Sequence, residues 1–358
     1  MKKIVSIIIV TFSMLIMCSC GVNKPSQDTH SSTEVTKANN VDVPEELNTE
    51  PSINTSVDIS PNNLIKSGIC GDNVKWTLTK DNVIYIYGSG DMYDYTDKPE
   101  WYSYAASSTT SYDLVVEKGV TSIGEFAFYA CQIQNISLPE TITRIGKGSF
   151  ADNYRVTSLV IPSSVQIIAD DAFERCKKLE TVTLKPGLRT IGKYAFVDCE
   201  NLVSISIPNS CESIDEWAFG NAGIRTITFG NGLKKIGMRA FSNCTQLESV
   251  TLPDSVIYIG KQAFSGCTSL KSVTLSNGLS SIENEVFSDS GITSITIPDS
   301  VTIIKEGAFM ACKSLEKVVL GKGLTKIETY AFWHCTNLNS INLSDDLIVE
   351  NNAFGGHD

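Results

Sequence analysis

The sequence predicts a repeat solenoid of short parallel β-strands behind a β-rich N-terminal cap. Two observations carry this. Phenylalanines recur every 22 or 23 residues at Phe128, Phe150, Phe173, Phe196, Phe219, Phe241, Phe264, Phe287, Phe309, Phe332 and Phe354. Around most of them stand the same companions: an Ile upstream, an Ala just before, then a Cys, a Leu and an alternating strand. A fixed period of this length means that each coil buries its apolar residues only against its neighbours.

The coil after Phe241 serves as the type case. Cys244, Leu247, Val250 and Leu252 point inward, and strand alternation sends Ser249 and Thr251 outward. Pro253-Asp254-Ser255 turns the chain. Val256 and Ile259 return to the core, Gly260 permits a second turn, and Ala263-Phe264 closes the coil. With stacked strands ~4.8 Å apart, about ten coils span roughly 50 Å. The solenoid is assigned to 113–358.

Residues 64–112 do not follow the period. Trp76-Thr77-Leu78 and Val83 to Tyr87 alternate like strands around the turn Lys80-Asp81-Asn82, and Gly88-Ser89-Gly90-Asp91 ends the second strand. Tyr93, Tyr95, Trp101, Tyr102 and Tyr104 follow. A solenoid needs its apolar end covered, so hairpin and aromatics are read as the cap. An aromatic-lined sugar site is the alternative.

The chain begins with Lys2 and Lys3 and an apolar run from Ile4 to Met17. That run is shorter than the ~20 residues a membrane helix needs. It reads as a secretory signal over 1–19. Ser19-Cys20-Gly21 resembles a bacterial lipobox, which implies acylation of Cys20 and a membrane contact through lipid only. Residues 20–63 are rich in Ser, Thr, Asn, Pro and Glu and contain no aromatic, the composition of a disordered tether.

The 358 residues carry 29 Lys plus Arg against 40 Asp plus Glu, a formal charge of −11. Loss of Lys2 and Lys3 leaves 27 against 40, or −13. Such a chain has no footprint for phosphate backbones, so nucleic acid is not an expected partner. The histidines are His30, His334 and His357, whose placement suggests no Ser-His-Asp or Cys-His pairing. Asp170-Asp171 and Asp345-Asp346 read as polar turns. There is no phosphate-binding loop or dinucleotide fingerprint. No enzyme, no cofactor and no metal are expected.

Seven of the 11 cysteines fall three residues after a Phe: Cys131, Cys176, Cys199, Cys244, Cys267, Cys312 and Cys335. Asn153, Ala222 and Ser290 share that place in other coils, which reads as a small-residue packing slot. Cys211 occupies a core position. Removal of Cys18 and acylation of Cys20 leave nine thiols, and a reduced ladder is favoured over pairing between adjacent coils.

The unit Ile236-Gly237, Ala240-Phe241, Cys244, Leu247, Val250, Leu252-Pro253, Val256 resembles the BspA-type leucine-rich repeat. Cys70-Gly71-Asp72-Asn73 with Trp76, Gly88 to Met92, and Trp101-Tyr102 resemble the segment seen ahead of such repeats. The resemblance spans about 67 to 354. It implies a cell-surface protein, in some cases an adhesin for protein or glycan, without catalytic residues.

The outward strand positions form a hydroxyl ladder: Thr181 and Thr183, Ser204 and Ser206, Thr226 and Thr228, Ser249 and Thr251, Ser272 and Thr274, Ser294 and Thr296. This ladder is the candidate binding face. Simple strand chemistry, with hydroxyls paired across strands, is the alternative. Glu180, Arg225, Glu248, Lys271 and Glu316 flank it, and Tyr129, Trp217 and Trp333 are candidate aromatic anchors. The leading function is non-catalytic binding at the cell surface. A structural envelope lipoprotein is the second reading, and an enzyme acting on polysaccharide or peptide the third. The acidic last coil serves as a polar end or as a surface for self-association.

Overall fold

The computed structural model describes residues 56–106 and 109–355. The signal segment, Cys20 and the tether up to residue 55 lie outside the described residues, as do 356–358. The described chain is a parallel-strand β-solenoid of about eleven turns with almost no helix. Its single short helix is Tyr102–Ala105.

Three strands open the fold: β1 Leu64–Ile69, β2 Val74–Thr79 and β3 Val83–Gly88. β2 and β3 form the expected hairpin, with Trp76 opposite Ile86. The sequence reading missed β1, which runs antiparallel to β2. Its burial is incomplete and its pattern irregular, so no alternation announces it. Gly90–Asp91 is β4 rather than a plain end to the hairpin, because it pairs with Val120–Ile123. β5, Tyr112–Val116, lies parallel to β3, so the cap sheet passes directly into the solenoid.

The tether assignment reached too far. The Asn63 side chain donates to Asp81 at 2.8 Å, the Lys80 amide donates to the Asn63 carbonyl at 2.8 Å, and the Lys80 ammonium donates to the Asn62 carbonyl at 2.6 Å. Residues 62 and 63 are thus tied to the β2–β3 turn despite their tether-like composition.

Each coil then contributes to three columns. The first is the ladder of outward hydroxyls, running through Thr181–Leu184, Ser204–Ser206, Thr226–Thr228, Ser249–Thr251, Ser272–Thr274 and Ser294–Thr296. The second consists of two-residue strands such as Arg144–Ile145 and Ile167–Ile168, each burying its final Ile. The type coil packs as expected: Cys244, Leu247, Val250, Leu252, Val256, Ile259, Ala263 and Phe264 are all buried. Gly260 acts by close approach rather than by permitting a turn. A β-carbon there would stand 2.5 Å from the Met238 nitrogen in the preceding coil.

The third column carries the phenylalanines, and its backbone is neither helix nor ordinary strand. Residues two before and two after each Phe from Phe128 to Phe332 take the left-handed conformation, as at Asp171 (φ 57°) and Arg175 (φ 55°) around Phe173. Alternate amides, those of the Phe and of its two left-handed neighbours, reach across to the next coil, while the amides between them close turns within their own coil. The Phe128 amide donates to the Ser149 carbonyl at 2.8 Å, Phe173 to Ala195 at 2.8 Å, and Phe332 to Ala353 at 2.8 Å. In every such pair the donor lies in the earlier coil and the acceptor in the later one. The Phe rings stack beneath, with centroids 5.2–5.7 Å apart and planes within 16° from Phe128 to Phe354.

A one-way column needs an external donor at its first carbonyls, and the cap supplies it. The Tyr95 amide donates to the Glu125 carbonyl at 3.0 Å, and the Trp101 indole N–H donates to the Ala127 carbonyl at 2.9 Å. Trp101 also stacks on Phe128 at 5.5 Å, and Trp76 meets it edge-on at 5.3 Å. Trp101 is 1 % exposed, so it ends both the apolar stack and the polar column.

Two stability tests separate these roles. Phe219→Ala, at a fully buried ring between two others, is expected to cost about 3–5 kcal/mol in urea unfolding. Trp101→Phe keeps most of the stack but leaves the Ala127 carbonyl unpaired, and is expected to cost about 1–3 kcal/mol. Equal stability of Trp101→Phe and the parent would mean that the indole donor contributes nothing.

Candidate functional site: the outward hydroxyl ladder

All twelve candidate residues stand exposed on their strands, and the apolar residue between each pair faces the core. They are also in register. Ser204 pairs with Thr226, Ser206 with Thr228, Ser249 with Ser272 and Thr251 with Thr274. Thr181 pairs with Ser204, and Ser272 with Ser294. Within each of the two sheets, which divide between Thr226–Thr228 and Ser249–Thr251, the hydroxyls form two parallel rows with a rise of ~4.8 Å per coil.

Among the described residues, none of these twelve hydroxyls is engaged by another protein group. The expected pairing of hydroxyls across strands is therefore not formed. Hydroxyls elsewhere in the coil behave differently. Thr141, Ser164, Ser210 and Ser255, each in a turn, donate to a carbonyl of the preceding coil at 2.5–2.8 Å. The turn hydroxyls fasten coils together, whereas the strand hydroxyls keep donors and acceptors for solvent or a ligand.

Charge is confined to the ladder's edge. Arg225 and Glu248 pair at 2.7 Å, and the Arg225 guanidinium is held protonated more firmly by that carboxylate. Both are well exposed, so the pair adds little to stability. Of the aromatic candidates, Tyr129 is 37 % exposed, while Trp217 and Trp333 are half-buried. Trp217 lies between the Tyr194 ring at 6.5 Å and the Arg239 guanidinium at 5.3 Å.

The structure gathers no titratable residues near the ladder for chemistry. His334 packs edge-on against Trp333 at 5.4 Å; His30 and His357 lie outside the described residues. Asp170 accepts from the Lys193 amide at 2.9 Å, a turn contact between coils. Among the described residues no group of three His, Cys, Asp or Glu could hold a metal, and no helix is long and apolar enough to cross a membrane.

All nine described cysteines are free and buried, Cys211 and Cys70 included. The slot after each Phe is more than a packing space. The thiols of Cys176, Cys199, Cys244, Cys267, Cys312 and Cys335 donate to the Phe carbonyl of the preceding coil at 3.0–3.4 Å. Asn153 fills the slot with an amide that donates to the Phe128 and Phe150 carbonyls at 2.8 Å and accepts from the Ile133 amide at 2.8 Å. The mixture of Cys and Asn was the signal for a donor. Ala222 in the same position hid it.

This is a leucine-rich-repeat solenoid presenting an uncharged, in-register hydroxyl face. The profile described as "BspA type Leucine rich repeat region (6 copies)" matches residues 121–248 and 234–358, and the chain belongs to that family. Three solved structures are similar to it. A leucine rich cell surface protein from Faecalibacterium prausnitzii is 23 % identical, over 81 % of this chain and 96 % of its own, with a TM-score of 0.43. A leucine-rich repeat protein from Bacteroides ovatus is 20 % identical, over 80 % and 100 %, with a TM-score of 0.44. The pneumococcal vaccine antigen PcpA is 22 % identical, over 78 % and 70 %, with a TM-score of 0.46. No curated protein sequence matches the chain.

Burial pushes the thiols of Cys176 and Cys244 up to about 12. At pH 8 the native solenoid is expected to leave its nine thiols unalkylated by iodoacetamide, and unfolding in urea to expose all nine. Labelling of several thiols before unfolding would contradict this packing.

A second test uses pH. Arg175 holds the Asp152 carboxyl down to about 2, from an ordinary 3.8. A depressed carboxylate stabilises the fold above its unfolded value and loses that contribution as pH falls. The contribution is present above about pH 4 and fades toward about pH 2. Glu174, raised by burial, works in the opposite sense, so the comparison is with a single replacement. Asp152→Asn is expected to flatten this part of the acid unfolding curve; an unchanged curve would sink the assignment.

Proposed function

We propose that this chain is a non-catalytic cell-surface binding protein that presents its strand face to a protein or glycan. One observation carries the reading: twelve Ser and Thr hydroxyls are exposed over six coils, aligned within two runs of three paired strands, and unengaged by the protein. A ligand gains most from donors and acceptors that are already fixed in place. The apolar partners of these residues complete the core, so the outward positions can change without disturbing it. Membership of a repeat family that is generally non-enzymatic agrees with display rather than turnover.

On the same reading, the N-terminal segment is a lipoprotein signal, acylation at Cys20 holds the protein outside the cytoplasmic membrane, and 21–61 spaces the head from the lipid. Radiolabelled palmitate is expected to enter the protein and to be lost in Cys20→Ala. An unlabelled parent chain would remove the anchor.

The binding test uses the chain from Ser56 onward, screened against host matrix proteins, bacterial surface proteins and immobilised glycans. A saturable ligand is expected, and its binding should fall at least tenfold when Thr226, Thr228, Ser249 and Thr251 are replaced by Glu or Lys. Unchanged binding by that variant would remove the ladder as the site. No binding by a verified folded chain would favour a structural envelope role.

A further inference from the structure

A different part of the molecule carries a more specific reading. On the phenylalanine side of the first two coils, three aromatic rings are exposed together: Phe126 at 37 %, Tyr129 at 37 % and Tyr154 at 40 %. The two phenols face one carboxylate, and the Phe126 ring sits beside Tyr129. The Tyr154 hydroxyl donates to Asp152 at 2.6 Å, and the Tyr129 phenol lies near enough to the same carboxylate for its pKa to be raised by it. Arg175 clamps Asp152 from the next coil with two N–H donors at 2.7 Å each, and a third N–H goes to Glu174. Asp152 is only 5 % exposed. The Phe126 ring meets Tyr129 edge-on at 6.4 Å and rests against Gly148, where a β-carbon would stand 2.5 Å from the ring.

The repeat does not require these rings. The place of Phe126 is taken by Asp171, Gln262 and Asn352 in some coils and by Tyr194, Trp217 and Tyr330 in others, that of Tyr129 by Ala151, Ser242 and Ser265 and once by Trp333, and that of Tyr154 by Lys177, Thr245 and Thr268. Phe126 also sits at φ 52°, where a bulky residue costs about 1–2 kcal/mol and where Asn or Gly is at home. The Phe126 ring is partly buried against Tyr129 and Gly148 and still presents 37 % of its surface to solvent, beside Tyr129 and Tyr154.

Its chemistry is that of a sugar platform. The ring faces offer flat apolar surface, and the Tyr154 phenol, by donating to Asp152, leaves its oxygen lone pairs as acceptors. Asp152 and Arg175 fix that phenol before any ligand arrives, which lowers the ordering cost of binding. Charge selects among sugars: Asp152 and Glu174 outnumber Arg175 here, on a chain of net charge −11, so an anionic polymer is disfavoured. We propose that Phe126, Tyr129 and Tyr154, held by Asp152 and Arg175, form a binding site for a neutral oligosaccharide, separate from the hydroxyl ladder.

The test measures binding of the purified full chain to neutral glucan, xylan, mannan and galactan hexasaccharides by titration calorimetry. A hexagalacturonate and a proline-rich peptide serve as the anionic and polypeptide arms. The cluster variant Phe126→Asn/Tyr129→Ser/Tyr154→Thr uses residues already found at these places in other coils, so it should keep the parent's melting behaviour. Tyr154→Phe alone, which keeps the ring and loses the acceptor, is the milder control. The expected result is saturable binding of at least one neutral sugar, reduced tenfold or more in the cluster variant, reduced less in Tyr154→Phe, and unaltered in the Thr226/Thr228/Ser249/Thr251 variant. That last arm separates this site from the ladder. Absence of binding by every neutral sugar overturns the proposal. So does full affinity in the folded cluster variant, preference for the galacturonate, or binding of the peptide alone.

Discussion

The constraint on which the rest depends is the one-way column of hydrogen bonds behind the phenylalanine stack. Each coil hands its amides to the next through Phe128 to Ser149, Phe150 to Ala172, and onward. Two ladders of paired strands and one column of alternating backbone must share a single rise per coil. That rise brings the rings to 5.2–5.7 Å, brings each thiol within reach of the preceding Phe carbonyl, and sets the hydroxyls in register. A change of length in one column must be absorbed within its own coil. The single-residue deletions at Ala222-Gly223 and Ser290-Gly291 show how: a β-carbon at Gly223 would lie 2.0 Å from the Glu200 carbonyl of the preceding coil, so glycine serves there, whereas the first coil takes the same short path with Gln132.

Direction in that column also explains the cap. An antiparallel sheet could have covered the apolar end with any flat surface. Here the first coil also presents carbonyls that no earlier coil can satisfy. Tyr95 and Trp101 answer the polar need, and Trp101 with Trp76 answers the apolar one. A lid that buried those carbonyls without donors would offset much of the stabilisation that comes from covering the rings. The aromatic richness of the cap is thus divided: Trp101 is structural, while Tyr93 and Tyr104 remain exposed at its surface.

Much of this was legible because period and alternation are properties of the sequence itself. The Phe anchors, the inward set of the type coil and the outward Ser and Thr all follow from spacing. What was not legible depends on backbone state or on neighbours one coil away. The left-handed positions are filled by residues as different as Asp171, Tyr194, Trp217 and Arg239, so no composition signal marks them. The thiol donors resemble small apolar fillers in the sequence, because the Phe carbonyls they meet belong to another coil. The platform of Phe126, Tyr129 and Tyr154 is spread over two coils, and spacing singles out Tyr129 alone as an anchor. Asp152 links Tyr129 with Tyr154 across the two coils, and the Phe126 ring joins them through its contact with Tyr129.

Serine and threonine make the same point most sharply, because one residue type has two opposite uses within a single coil. Ser255 lies in a turn, donates to the Leu233 carbonyl and helps to bind its coil to the one before. Ser249, six residues earlier, points outward and engages no protein group among those described. Replacing the first removes a coil-to-coil hydrogen bond, whereas replacing the second removes only something presented to the outside. A surface row that contributes so little to its own fold is free to be shaped by what it meets. The same holds for the aromatic cluster, where Phe126 occupies a backbone state that favours smaller residues. In a solenoid whose core residues are dictated by the neighbouring coil, specificity can reside only at positions that the stacking leaves alone, and these two faces are such positions.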